Sequence, residues 1–210
     1  PIYFQSAQPI AVATVIENTW LLKTLAVGTA LDVELLRKLD ELDLTIDTYW
    51  KAQRIYSGRG YDLSPDQLQD DATFMYQLPD FTPPESGKFS VNISLLDKFM
   101  FSKAHRPRVL ELYSPPLLIV PESPGSSLFS PKSWITREVT VFSKSYYGFS
   151  AYGNSKAGIC VSLLHLITHS ELFRYHVLMT SSRMGAERRT FLKENLEKFP
   201  FPALDLFSED

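Results

Sequence analysis

From Lys51 to Pro121 the chain is interrupted again and again by residues that end regular structure: Gly58, Gly60, Pro65, Pro79, Pro83, Pro84 and the pair Pro115-Pro116. Proline lacks an amide hydrogen and has a fixed φ, so no long helix can cross this stretch and no strand ladder can run through its prolines. Short strands and loops are what remain. On both sides the pattern changes to apolar residues at helical spacing. Helices at the two ends with brief strands between them define an α+β chain: a mixed, mainly antiparallel sheet with helices packed at its N- and C-terminal ends.

The elements can be placed more closely. "QPIAVATV" (8–15) is expected as a strand. Asn18-Thr19 is expected to cap a helix in "WLLKTLAVG", which Gly28 ends in the left-handed conformation that a residue without a Cβ adopts cheaply. In residues 31–50, Val33, Leu35, Leu36, Leu39, Leu42 and Ile46 mark an amphipathic helix whose Asp/Glu face is solvated or packs on a further domain. "GKFSVNISL" alternates Phe89, Val91 and Ile93 as a strand does. "RVLELYSPPLLIVPE" holds one or two strands divided by the proline pair. "WITREVTVFSKSYYGFSAYG" reads as a hairpin, with Ile135, Val139 and Val141 on one face. "AGICVSLLHLITHSELFRYHVLM" predicts a single apolar helix of about six turns, at ~3.6 residues each, serving as core scaffold. "TFLKENLEKF" predicts a short helix closed by Pro200 and Pro202.

The 210 residues are 44% hydrophobic and 21% charged, ordinary globular values that allow one sizeable core. A net charge of −3 argues against a general polyanion binder but is silent about any local patch. Cys160 is the single cysteine, so no internal disulfide can form, and a reducing, cytoplasmic setting is expected. No apolar run reaches membrane-spanning length, so no membrane partner is expected. The chain opens on Pro1, as a piece cut from a longer protein would.

Familiar catalytic patterns are missing. His165 and His169 stand at i, i+4, but no Glu or Cys accompanies them at ligand spacing, so packing or capping roles are expected. No serine lies in a Gly-x-Ser-x-Gly elbow, and "YSGRGYD" lacks the strand-loop-helix context of a phosphate loop. "YSPPLL" (113–118) resembles the Pro-Pro-aromatic signature of amino-group methyltransferases. Leu117 stands where the aromatic residue would stack on a flipped base, and no glycine-rich cofactor loop precedes it. Ser114-Pro115-Pro116 is therefore expected to start a strand.

The final third, "YYGFSAYG" and then "LLHLITHSELFRYHVLMTSSRMGAERRTFLKENLEKFPFP", resembles the C-terminal recognition region of N6-adenine DNA methyltransferases of the restriction-modification and phage-defence type. Leu163-Leu164, Leu166, Ser170, Leu172-Phe173 and Tyr175 occupy the family's helix places. Leu192, Leu196, Phe199, Pro200 and Pro202 occupy those of its exit, while Thr168-His169-Ser170 departs from the usual Leu-Asn-Ser. "WLLKTLAVGTALDVELLRKLDEL", with Gly28 and Asp32 at its turn, is similar to the segment that follows the catalytic domain. "PRVLELYSPPLLIVPE" is similar to the strand pair before the recognition hairpin. The likeness spans most of residues 8–204 in consistent order.

This resemblance implies a target-recognition domain over 51–210 and a helical connector over 1–50, or one continuous domain over 1–210. Its partners would be double-stranded DNA and the catalytic methyltransferase domain of the same polypeptide. S-adenosylmethionine would be the cofactor of that parent, with none in this chain. Acids crowd residues 32–47 and 62–85, whereas bases recur elsewhere. The candidate DNA contacts are Arg54, Arg59, Arg106, Arg108, Lys144, Tyr147, Arg183, Arg188 and Arg189. Cations would hold phosphates, and arginine forks or loop amides would read base edges. Two alternatives stand beside this. Arg183, Arg188 and Arg189 can instead neutralise the carbonyl end of the long helix, at about 0.3–1 kcal/mol each. The chain can also be a protein-interaction module of a defence complex that does not touch DNA.

Overall fold

The computed structural model describes residues 9–42, 44–84, 91–123, 133–154, 157–182 and 193–201. Four helices come first: α1 (Val12–Glu17), α2 (Leu21–Val27), α3 (Ala30–Asp40) and α4 (Ile46–Ala52). Six strands follow: β1 (Tyr56–Arg59), β2 (Asp70–Asp71), β3 (Lys103–Ala104), β4 (Leu117–Pro121), β5 (Trp134–Thr136) and β6 (Tyr146–Ser150). Helices α5 (Ala157–Thr168), α6 (Glu171–Thr180) and α7 (Lys193–Glu197) complete the chain. The main sheet has the order β1-β6-β4-β5, every neighbouring pair antiparallel, and β2 and β3 form a second small ladder. The α+β reading therefore holds. Among the described residues no helix is long and apolar enough to cross a membrane.

Strand β4 occupies the centre because all five of its residues are buried. Leu118 and Val120 face one side, Leu117 and Ile119 the other, as the two-residue period of a strand requires. The first side is covered by α4, α5, α6 and α7. Trp50 stands edge-on to Phe149 at 5.2 Å, and Phe173 to Phe199 at the same separation. The second side carries no α-helix in its core cluster. Tyr61, Phe81, Phe99 and Tyr113 from the proline-broken stretch, Trp134 of β5 and Phe142 of the loop after it pack there as an aromatic layer. Gly148 of β6 makes room for it, since a Cβ at that position would lie 2.2 Å from Phe142 Cζ. A third cluster joins Trp20, Leu21 and Leu36 to Met179 of α6, so the first helices rest on the last ones. Backbone bonds Ile46 N to Phe199 O and Phe201 N to Leu44 O tie the same ends together.

Several expected elements come out differently. The strand expected over 8–15 is helix α1 from Val12 onward; it buries no side chain, and without a partner strand alternation alone does not make a ladder. Asn18 does not cap α2; its side-chain amide donates back to Thr14 O at 3.0 Å, closing α1. Gly28 is extended (φ −116°), not left-handed. Glycine is needed there for space, because a Cβ would come within 2.9 Å of both Thr24 O and Asp32 Oδ2. Asp32 and Thr29 then form a capping box that starts α3. The helix expected over 31–50 is two helices. The second begins at Thr45, whose hydroxyl accepts from Thr48 N.

Val91 and Ile93 do not lie in a strand. Asn92 Oδ1 accepts from Ser94 N at 3.2 Å and turns the chain into a 3-10 helix, Ile93–Leu95; Phe89 lies outside the described residues. The hairpin expected over 134–153 does not form either: β5 and β6 pair on opposite sides of β4, with Leu118 facing both Ile135 and Phe149. The more apolar β4 takes the place between them, and Val139 and Val141 join the aromatic layer. The long apolar helix is broken into α5 and α6, because Ser170 accepts from Phe173 N at 3.1 Å and caps a new start. The proline pair does open a strand, since β4 begins at Leu117. Helix α7 lies where expected, ending before Pro200; Pro202 is outside the described residues.

Candidate nucleic-acid interface

Strand β1 is at the edge of the sheet, paired only with β6. Gly60 N donates to Tyr146 O in the same register, so Gly58 and Tyr56 belong to the hydrogen-bonded pairs of this ladder. The main-chain groups of Ser57 and Arg59 therefore turn outward. A groove of about 300 Å³ runs along this edge, lined by Tyr56 to Arg59 on one wall and by Arg108, Val109 and Leu112 on the other. Leu112 belongs to a 3-10 turn, Leu110–Tyr113, and its Cδ2 would touch a Cβ placed on Gly58 at 3.5 Å. Glycine at 58 thus keeps the floor low, and Arg59 and Arg108 are both among the lining residues.

The two are held differently. Arg59 Nη2 pairs with Glu122 Oε1 and donates to the Tyr147 hydroxyl at 3.3 Å, with the guanidinium carbon 5.5 Å from the Tyr147 ring centre. The Tyr147 hydroxyl, and after it the charge of Glu122, raise the Arg59 pKa above its ordinary value against the cost of burial. Arg59 is thus a strand residue whose side chain is 42% exposed. Arg108 is exposed, has φ +72°, and makes no ion pair among the described residues.

The other candidates divide along the same line. Lys144 Nζ binds Asp62 at 2.9 Å and Ser64 Oγ at 3.0 Å. Asp62 also accepts from Ser64, and these bonds, with Lys144 after them, bring its pKa down to about 2. This clamp joins the segment after β1 to the loop before β6. Arg106 (φ +53°) and Arg54 (φ +54°) are exposed, without an ion pair among the described residues. Arg106 follows His105, whose backbone exchanges bonds with Asp62, so it belongs to the same neighbourhood as Lys144. Arg54 precedes β1. Its N–H donates to Lys51 O, and Ile55 N donates to Trp50 O, the six-to-one bond of a helix end that normally carries glycine in the left-handed place.

Tyr147, a candidate for stacking on a base, is corrected by its burial. It is 2% exposed in the helix-side core, and its hydroxyl and ring serve Arg59. Tyr146 faces the aromatic layer, edge-on to Phe81 at 5.0 Å. The exposed ring at the groove belongs to Tyr56, which the sequence did not single out. Arg183, Arg188 and Arg189 lie outside the described residues.

His165 Nδ1 and Thr168 Oγ1 bond Ser133 Oγ at 2.8 and 2.6 Å, and His169 Nε2 lies 3.2 Å from Ser133 O, so both histidines anchor the start of β5. Among the described residues no group of three metal-ligating side chains converges. Ser114 is equally committed. Its hydroxyl donates to Leu110 O and its carbonyl accepts from Ser150 at 2.6 Å, which does not fit the amine-holding role that the Pro-Pro motif has in methyltransferases.

Sequence reasoning missed the two carboxylates that neutralise Arg59 and Lys144. Glu122 is 63 residues from Arg59 and Asp62 is 82 from Lys144, and nothing local in the sequence pairs them. A comparison with protein-family models finds no match for this chain, and a search of curated proteins finds none.

Proposed function

We propose that this chain reads DNA, as the non-catalytic target-recognition part of an adenine-specific, S-adenosylmethionine-dependent DNA methyltransferase in the cytoplasm. The observation that carries the reading is the groove at the β1 edge, with Arg59 and Arg108 among its lining residues, together with Arg54 and Arg106 exposed on left-handed turns close to these elements in the chain. Three of these four guanidiniums meet no carboxylate among the described residues. Unneutralised cations are what phosphates recruit. Cofactor binding and methyl transfer would belong to the remainder of the polypeptide.

The second reading, a protein-interaction module, is favoured by a different feature. An apolar groove of about 430 Å³ lies where the end of α3, the α5–α6 joint and Phe199–Phe201 meet, with Leu39, Leu42, Leu166 and Leu172 along it. Leu166 is 66% exposed there.

Fluorescence anisotropy of a labelled duplex titrated with the chain separates the two. With Arg54, Arg106 and Arg108 on phosphates, the plot of log affinity against log salt has a slope of about −2.7 or steeper, at 0.9 per contact. No binding at low salt, or binding indifferent to salt, would leave the protein-interaction reading. Methyl transfer by the isolated chain should be blank.

A further inference from the structure

We infer that the candidate arginines have separate tasks: Arg59 is the specificity-determining residue that reads a base edge, while Arg108, Arg106 and Arg54 hold backbone phosphates. The inference rests on the DNA-binding reading above and goes on to assign chemistry within that site.

The guanidiniums differ in what each has already committed. Arg59 Nη2 is engaged by Glu122 and by the Tyr147 hydroxyl, and its guanidinium carbon lies 5.5 Å from the Tyr147 ring centre. Tyr147 is itself fixed in the core between Phe149 and its neighbours. The rotamer freedom of Arg59 is therefore lost before any ligand arrives, and its Nη1 and Nε donors point from a fixed place. Fixed donors discriminate between acceptors, because a misplaced partner cannot be followed. Glu122 also cancels the net charge, so Arg59 offers a phosphate little that water does not.

A donor-only group in the major groove selects the base edge that presents two adjacent acceptors, the N7 and O6 pair of guanine; adenine and cytosine place an amino group there, and thymine offers a single acceptor beside its methyl. Arg108, Arg106 and Arg54 are the converse. Each is exposed and carries its full charge on a left-handed backbone turn. Such side chains can follow a phosphate wherever it lies, and each contact releases counterions. Lys144, clamped to Asp62, falls with Arg59 in charge but is tied to a loop–strand corner and takes no part in reading.

The test uses the whole chain with a pool of duplexes carrying a randomised core, bound fractions being sequenced, and anisotropy salt titrations on a fixed duplex. Arg59→Lys keeps the charge and removes the planar donor set. It should flatten a guanine preference at one position, by roughly 5-fold or more, and leave the salt slope unchanged. Arg108→Ala should leave base preference intact and make the slope shallower by about 0.9. Glu122→Gln frees the Arg59 charge; it should weaken the guanine preference and steepen the slope. Melting curves confirm that each variant is folded.

The assignment is overturned if Arg59→Lys leaves the selected sequences unchanged, if Arg108→Ala alters them, or if the unmodified chain binds duplexes with no base preference. Those results spare DNA binding itself. Absence of any salt-dependent binding by the unmodified chain removes the DNA reading, and this assignment with it.

Discussion

His176 of α6 gives the chain a stability that depends on pH. Its ring is 3% exposed, stands edge-on to Phe199 at 5.1 Å, and has no hydrogen-bond partner for Nδ1 among the described residues. Burial lowers its pKa from 6.5 to about 4, because a charged imidazolium cannot be solvated there. The unfolded chain takes up the proton at the ordinary value, so protonation favours unfolding. The contribution to stability is complete above pH 6.5 and declines as pH falls towards 4. One pKa unit corresponds to about 1.4 kcal/mol, so the full window is worth about 3 kcal/mol, and about 2 kcal/mol of it is gone by pH 5.

Urea denaturation at pH 7.5 and pH 5, on the natural chain and on His176→Leu, isolates the effect. Other titrating groups act in both proteins and cancel in the comparison. His165, also lowered to about 4 by burial and then by His169, is among them. The leucine variant should lose about 2 kcal/mol less between the two pH values. At pH 7.5 it should be at least as stable as the natural chain, since it removes a buried donor or acceptor that has no partner. Equal losses in the two proteins would refute the claim that burial keeps this ring neutral.

Three further outcomes follow from the geometry. Gly60→Ala places a Cβ 1.8 Å from the Phe142 carbonyl oxygen, so the backbone must move; a loss of about 3 kcal/mol or more is expected in thermal melts, and a loss under 1 kcal/mol would contradict the packing. Arg54→Gly relieves a left-handed arginine at φ +54° and should raise stability by about 1 kcal/mol while making the DNA salt slope shallower by about 0.9. An unchanged slope would remove Arg54 from the interface. Leu118→Ala empties a fully buried site on the central strand and should cost about 2–5 kcal/mol in denaturant titrations, whereas a cost near zero would mean that β4 is not central.

How much of this was legible beforehand varies with the range of the interaction that decides each feature. Local rules worked where the decisive group is a near neighbour in the chain. Proline excluded long helices from the middle, β4 starts directly after Pro115-Pro116, and α7 stops before Pro200. They failed where a single polar side chain outweighed an apolar pattern. Ser170 divided a continuous apolar run into α5 and α6, and Asn92 turned an alternating run into a 3-10 helix. At the candidate site, Arg54, Arg59, Arg106, Arg108 and Lys144 were all visible as charges, but their condition was not. Whether a guanidinium is neutralised depends on a carboxylate that folding delivers from far away.

Composition and spacing thus settled the class of fold: helices at both ends, short antiparallel strands between, because backbone hydrogen-bonding capacity and side-chain periodicity are local properties. Folding in three dimensions decided which strand lies between which, since β4 displaced the nearest-neighbour pairing of β5 and β6 by burying both of its faces. It also decided that Tyr147 is core while Tyr56 is exposed, and that Arg59 is ion-paired while Arg108 meets no carboxylate among the described residues. Exposure and charge neutralisation arise from distances between residues remote in the chain, and no stretch of sequence read alone contains those distances.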